Sequence, residues 1–166
     1  MFLQNALDFL PILLNGAVVT VQVTIASFLL SSIIGLAFAL MMVSNVRAVA
    51  LFGISVVNVI RGLPIIVQLF YIYFVLPEFG VQLTALQAGI IGLGIAYSAY
   101  QAENFRAGIQ AIQQGQIEAA ESLGMRGPMI MRRVVLPQAF RIALPPYGNT
   151  LVMMLKDSSL VSTITC

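Results

Sequence analysis

Arg61 stands inside an otherwise apolar stretch and is followed at once by Gly62, Leu63 and Pro64. A guanidinium in such a run costs roughly 2.5 kcal/mol or more against lipid, so it must face protein, water or an anionic group. Gly62 frees the backbone and Pro64 has no N–H, so a helix can break here and present its end dipoles. Gln68 follows within two turns. A second polar group, with Tyr97, Ser98, Tyr100, Gln101, Glu103, Asn104 and Arg106, enters the second half of another apolar run; a third, Lys156-Asp157-Ser158-Ser159, lies near the end of the sequence. The chemistry open to these residues is recognition: Arg61 for an anion, Glu103 or Asp157 for a cation, amides and hydroxyls along a polar path. Purely structural pairs are equally open, Glu103 with Arg106 three residues on and Lys156 with Asp157. Catalysis is not encoded in any recognisable form. Histidine is absent, Ser158 has no base at a workable spacing, and the carboxylates show no paired geometry. No metal-ligand spacing is present. Lys156 is the only lysine and no glycine-rich loop precedes it, so the chain carries no Walker-type ATP site and binds no cofactor of its own.

The segments that position these residues are those of a membrane protein. With 60% hydrophobic residues, 8% charged residues and a mean hydropathy of +0.98, the chain has too little polar surface to clothe a soluble globule. A net charge of +2, without an aromatic-interleaved basic face, argues against nucleic acid. Cys166 is the only cysteine, so no intrachain disulfide forms.

About four spans are expected. Met1 to Leu14 contains Asp8 and Pro11 but no Lys or Arg, unlike a cleaved signal, so it belongs to a retained segment. Gly16 to Val43 is an uncharged first span whose Thr20, Gln22, Thr24, Ser27, Ser31 and Ser32 suit helix packing through small residues, or alternatively a polar path. Ala48 to Leu76 is a second span, interrupted at Arg61, with Tyr71 and Tyr73 as interfacial anchors or packing. Pro77 to Gly80 turns the chain, and Thr84 to Ala111 forms a third span. Gly89, Gly92 and Gly94 in it lack the spacing and the preceding strand of a dinucleotide fingerprint and read as close helix contacts. A fourth span runs from Pro128 to Leu155, with Pro137 and Pro145-Pro146 inside, and should be kinked within a bundle.

Between the last two spans lies a polar elbow, Ile117 to Pro137, reading IEAAESLGMRGPMIMRRVVLP. Gln116 to Leu123 is predicted as a short helix stopped by a left-handed Gly124, with Gly127 as cap and Pro128 as first residue of the next helix. Glu118 and Glu121 are expected near the N-terminus of the short helix, where they favour its dipole, and Ala119 and Ala120 allow close approach of a partner. Arg47, Arg106, Arg126, Arg132 and Arg133 cluster at one end of the spans, so the positive-inside rule puts the N-terminus outside and the elbow in the cytoplasm.

Glu118-Ala119-Ala120, Gly124 and Val134-Val135-Leu136-Pro137 at these spacings resemble the EAA loop of permease subunits of ATP-binding-cassette importers. Ile60-Arg61-Gly62-Leu63-Pro64 and Lys156-Asp157-Ser158-Ser159-Leu160 narrow the resemblance to the polar-amino-acid uptake permeases, and it covers nearly the whole chain. Departures are valine at Val134, Leu63 where threonine is common, and an end at Cys166 where family members continue through one more helix. The resemblance implies an all-α membrane protein, a multi-span bundle of the type I importer permease kind, with about four of five transmembrane helices in one permease domain, 1–166. It implies a coupling loop over 113–137, carried by Glu118, Ala119, Ala120, Gly124, Arg126 and Pro137. Arg61, Gln68, Tyr100, Gln101, Glu103, Lys156, Asp157 and Ser158 become candidates for the substrate pathway. An amino acid offers a carboxylate to Arg61 and an ammonium to Asp157 or Glu103. The implied partners are a cytoplasmic ATPase dimer holding ATP and Mg, a second permease subunit (identical or different), an extracytoplasmic solute-binding protein and the lipid of a bacterial inner membrane. The implied activity is amino-acid import by alternating access. A secondary transporter or channel, and a fragment that inserts without transporting, remain the alternatives.

Overall fold

A computed structural model describes residues 2–164, with side chains from residue 9 onward; the side chain of Asp8, and Cys166, lie outside the described residues. Helices follow one another as α1 (Phe2–Met42), α2 (Arg47–Gly62), α3 (Ile65–Phe70), α4 (Ala85–Gln110), α5 (Gln114–Ser122), α6 (Gly127–Ile130) and α7 (Leu136–Asp157). Tyr71–Val75 extends α3 as a π turn, Met131–Val135 joins α6 to α7 as another, and Ser158–Ile164 ends the described chain as a 3-10 segment. No strand occurs among the described residues.

Of the expected segments, one is longer than its sequence reading and another breaks where that reading put its interruption. The first is a continuous helix of 41 residues, about 60 Å long, because Pro11 lies in its early turns and nothing after it interrupts the apolar run. Within it, Phe9–Met42 is the single described helix long and apolar enough to cross a membrane alone. The second is not one straight span: Arg47–Gly62 and Ile65–Phe79 meet at a bend of 97°. Leu63 takes an extended conformation (φ −99°, ψ 133°), as a residue before proline must, and the helix stops there. α4 begins with a capping box, in which the Thr84 hydroxyl accepts from the Gln87 N–H at 3.3 Å and the Gln87 side chain accepts from the Thr84 N–H at 3.0 Å.

α1 and α4 form the centre of the bundle. Their backbones approach so closely at Gly35 that a Cβ there would lie 2.6 Å from the Gln101 Cβ and 2.8 Å from the Ser98 carbonyl oxygen. The Ser27 hydroxyl donates to the Ile90 carbonyl across the same interface at 3.2 Å. Thr24, Ser27 and Ser31 are buried on this stripe, the packing role open to them; Gln22 is exposed and takes no part in it. Gly89, Gly92 and Gly94 admit the side chains of Val161, Leu69 and Leu30 against α4, which is the close packing their spacing suggested. Around them Val23, Leu69, Leu93, Tyr97, Met154 and Val161 make the main core. α7 closes on the other side of α4, with Gly108 against the Ala139 carbonyl oxygen at 2.7 Å from an added Cβ.

Because the atoms facing Gly35 include backbone, they cannot yield to a new side chain. Gly35→Val is therefore expected to cost about 1–3 kcal/mol or more of stability, read as a lowered thermal midpoint of the purified protein in detergent. Gly16→Val, where an added Cβ meets nothing within 4 Å, should leave the midpoint unchanged.

Candidate functional site

Two regions carry the polar chemistry, a charged cluster where α2 breaks and the elbow between α4 and α7. At the break, Arg61 occupies the last turn of α2. Its guanidinium lies 3.4 Å from a Glu103 carboxylate oxygen and stands over the Tyr100 ring, 5.5 Å from the centroid. The other Glu103 oxygen accepts from Arg106 Nε at 2.9 Å and Nη2 at 2.5 Å, and Arg106 Nη1 also donates to Gln110 at 2.6 Å. Glu103 thus joins the i,i+3 pair that its spacing allowed to a contact across helices with Arg61. One turn up α4, the Tyr97 ring packs 5.6 Å from Tyr100, and its hydroxyl donates to the Asp157 carboxylate at 2.6 Å. A cation and an anion therefore bracket two tyrosines whose rings are tilted by 42° to one another: Arg61, Tyr100, Tyr97, Asp157.

The remaining pathway candidates sit elsewhere. Gln68 turns back on the break, its amide donating to the carbonyls of Ile60 at 2.9 Å and Leu63 at 3.1 Å. It satisfies acceptors that the end of α2 leaves open. Gln101 and Ser98 are fully buried on the side of α4 that meets α1, away from Glu103. The Gln101 oxygen accepts from Asn104 at 3.2 Å, Asn104 also donates to the Thr150 hydroxyl at 3.0 Å, and Gln101 Nε2 has no partner among the described residues. Ser158 is buried with its hydroxyl donating to Leu155. Lys156 is exposed and makes no ion pair among the described residues; Asp157 pairs with Tyr97 in its place. The structure brings together Arg61, Tyr100, Glu103 and, through Tyr97, Asp157. The sequence reading named Tyr97 in the polar group of this helix but not among the pathway candidates, although its place three residues before Tyr100 puts both rings on one face of a helix.

The elbow is built by its termini. Gly124 has φ +76°, and two hydrogen bonds close the end of α5, Met125 N–H to Ala120 at 3.1 Å and Gly124 N–H to Glu121 at 2.8 Å. This is a complete Schellman arrangement. Arg126 (φ −82°, ψ 153°) caps the next helix, with Gly127 and Pro128 its first two residues. The sequence reading had set that cap one residue later, at Gly127; a proline in the second position likewise forfeits an N–H that lacks a helical partner. Ile112, Ala120, Ile130 and Val135 form a small core under the elbow, and Gln138 donates to Gln116 at 2.6 Å. Pro137 is the second residue of α7, one after Leu136 and next to the π turn, a position where its missing N–H is tolerated.

Two expectations about α5 need correcting. The helix starts at Gln114, so Glu118 and Glu121 lie beyond its first turn and gain little from the N-terminal dipole. Ala120 is buried inside the elbow; only Ala119 of the pair faces outward, beside exposed Glu118 and Glu121. The same outward end carries Leu123, 82% exposed, an apolar tip that sequence reasoning passed over and that its place just before Gly124 marks.

A broken apolar helix pair beside a charged cluster, with a polar elbow between two long helices, is the architecture of a helical membrane bundle. Residues 31–165 match the family described as the inner membrane component of binding-protein-dependent transport systems, and the chain belongs to this family. It is 40% identical over 163 residues to a probable amino-acid ABC transporter permease of Sinorhizobium fredii, covering 98% of this chain and 71% of that one. It is also 40% identical to an L-cystine transport system permease of Bacillus subtilis, covering 95% and 67%. The fold matches a crystal structure of an amino acid ABC transporter with a TM-score of 0.91 at 42% identity, over 98% of this chain and 76% of that one. It also matches a methionine ABC transporter at 0.77 and 24%, over 90% and 72%, a likeness of fold alone. The fold is that of a type I importer permease, and the chain is a transport component of the inner membrane.

An added Cβ at Gly124 meets nothing within 4 Å, so the left-handed backbone is the only cost of Gly124→Ala. At about 1–2 kcal/mol this should raise proteolytic cleavage between residues 122 and 127 roughly five- to thirty-fold, while Gly127→Ala leaves the rate unchanged.

Proposed function

We propose that this chain is the translocating subunit of an ATP-driven importer of polar amino acids, with the elbow as its coupling element. The observation that carries the reading is the two-sided construction of α5. One side is spent on the elbow's own core, through Ile117 and Ala120, and the other presents the exposed side chains of Glu118, Ala119, Glu121 and Leu123, which have no ion pair or side-chain hydrogen bond among the described residues. Such a helix, held by a left-handed glycine and a small core, suits docking into a surface that supplies basic groups and an apolar notch. A cytoplasmic ATPase dimer holding ATP and Mg is that partner, and residues 113–137 form the coupling loop, with Arg126 and Pro137 shaping its exit.

The basic residues support the orientation. Arg47, at the start of α2, and Arg106, Arg126, Arg132 and Arg133 all lie at the elbow end, which faces the cytoplasm with the N-terminus outside. A second permease subunit completes the pathway, and an extracytoplasmic binding protein delivers the solute. Relatives named as amino-acid, L-cystine and glutamine permeases support the substrate class. The bracketed tyrosines supply a chemistry to match, with Arg61 for the carboxylate and Asp157 or Glu103 for the ammonium. ATP closing its dimer would carry α5 with it and switch the side on which the pathway opens.

Co-purification from detergent tests the coupling. Wild type should retain the ATPase and Gly124→Asp should lose it while remaining in the membrane, because aspartate tolerates a left-handed backbone better than most residues yet puts a hydrated carboxylate beside Leu123, where the apolar notch must close. Retention by Gly124→Asp together with normal uptake would overturn the coupling role.

Uptake by the reconstituted complex tests the pathway. Arg61→Gln and Asp157→Asn are each expected to lower amino-acid uptake at least about ten-fold, as for loss of a charge-assisted hydrogen bond. Lys156→Gln should stay within about two-fold, as for an exposed side chain outside the pathway. Equal losses in all three would place the substrate elsewhere.

A further inference from the structure

Away from the charged cluster, a cavity of about 350 Å³ opens between α1, α4 and α7, lined by Ile33, Leu36, Phe105, Ile109, Leu136 and Phe140. Its lining is almost wholly apolar. The one hydroxyl, on Ser32, is already engaged with the Phe28 carbonyl at 2.6 Å and the Tyr147 hydroxyl at 2.7 Å. A polar solute would find no partner there, whereas a hydrocarbon chain needs none. Ile33 is 70% and Phe140 62% exposed, so the slot's walls continue as apolar surface on the outside of the bundle.

The slot lies at the elbow end of all three helices: Leu36 is near the end of α1, Ile109 is the penultimate residue of α4, and Leu136 opens α7. On α7, Leu136, Ala139 and Phe140 share one face at the three- and four-residue spacing of a helix. Arg132 precedes Leu136 by four residues across the π turn and falls on that face, with Arg133 on its flank. The elbow packs on another side, through Val134, Val135 and Gln138. Both arginines are exposed and make no ion pair or hydrogen bond among the described residues, and with Pro128 and Met129 they line a polar hollow. An acyl slot thus lies one turn below a free pair of guanidiniums, whose planar donor forks suit phosphate oxygens.

We propose that this face binds one anionic phospholipid of the cytoplasmic leaflet, an acyl chain seated between α1, α4 and α7 and the headgroup phosphate held by Arg132 and Arg133. The assignment of leaflet rests on the orientation proposed above; the pairing of slot and arginines does not. Neither arginine belongs to the charged cluster or to the outward face of α5, so lipid binding and transport can fail separately. A bound lipid would wedge the ends of α4 and α7 that lead into and out of the elbow, making the elbow's position sensitive to the anionic content of the membrane.

The chain contains no tryptophan, which allows a local reporter. Phe140→Trp, in the intact transporter complex in phosphatidylcholine nanodiscs, is titrated with acyl-brominated phosphatidylglycerol or acyl-brominated phosphatidylcholine, with the complex carrying Phe140 as background. Quenching at half amplitude should need a roughly ten-fold smaller fraction of phosphatidylglycerol than of phosphatidylcholine. The double variant Arg132→Gln/Arg133→Gln should abolish that preference while leaving quenching by phosphatidylcholine, and the lysine pair should retain part of it. Equal quenching by both lipids would reduce the slot to ordinary lipid contact. No quenching by either, in this variant or in Ile33→Trp, would show that protein covers the slot. Either result overturns the proposal, and amino-acid uptake measured on the same complexes reports on the importer reading independently.

Discussion

The near-contact of the α1 and α4 backbones at Gly35 is the constraint on which the other arrangements depend. Lipid offers apolar helices no gain for burying one another, so association must come from close packing and from hydrogen bonds between helices. Gly35 against Ser98 and Gln101, Gly94 under Leu30, and Ser27 bonded to the Ile90 carbonyl provide both on a single stripe. With α4 fixed on α1 in one rotation, its remaining faces are assigned. Gly92 and Gly89 receive α3 and the 3-10 segment after α7, Gly108 receives α7, and Tyr97, Tyr100 and Glu103 are left turned toward the break in α2 and the end of α7.

The break is then a consequence that the bundle can support. Ending a helix at Gly62 inside an apolar region releases carbonyls that lipid cannot satisfy. Gln68 reaches back to two of them, and Arg61, carried by the last turn, is placed against Glu103 and the Tyr100 ring. Gln68 is thereby spent on the helix end, which explains why a glutamine follows the proline at all. The same holds for Ser158, whose hydroxyl serves a carbonyl one turn back. What is not consumed by helix ends is Arg61, the half-buried Tyr100 and the Asp157 carboxylate, which the buried Tyr97 holds by its hydroxyl.

Segments, breaks and turns were legible in the sequence because each has a local cause. Pro64 stops α2, Thr84 with Gln87 starts α4, and Gly124 ends α5, all within a residue or so of the reading from composition and spacing. Side-chain assignment was less legible, since it depends on which rotation of a helix packing selects. Gln101 and Glu103 are two residues apart, yet one is sealed against α1 and the other faces Arg61. Lys156 and Asp157 are adjacent and opposite in charge, yet Tyr97, sixty residues earlier, takes the aspartate. Neither outcome follows from neighbours in the chain. The 97° bend is of the same kind: Gly62 and Pro64 announce a break, but its angle is set by where α3 can dock on Gly92.

The elbow and the charged cluster are joined by the two stiffest connections available. α4 carries Tyr97, Tyr100 and Glu103 and ends four residues before α5 begins; α7 carries Asp157 at one end and Gln138, bonded to α5, at the other. Between these ends, Gly108 against the Ala139 carbonyl and Asn104 bonded to Thr150 hold the two helices together along their length. A displacement of α5 therefore does not dissipate in a flexible loop. It acts on a packed helix pair whose far contact is the Tyr97–Asp157 hydrogen bond, and close-packed interfaces of this kind switch between discrete arrangements more readily than they bend. Beside the α1 contact on this same helix, the buried Nε2 of Gln101 has no hydrogen-bond partner among the described residues, while its oxygen accepts from Asn104, which ties α4 to Thr150 of α7.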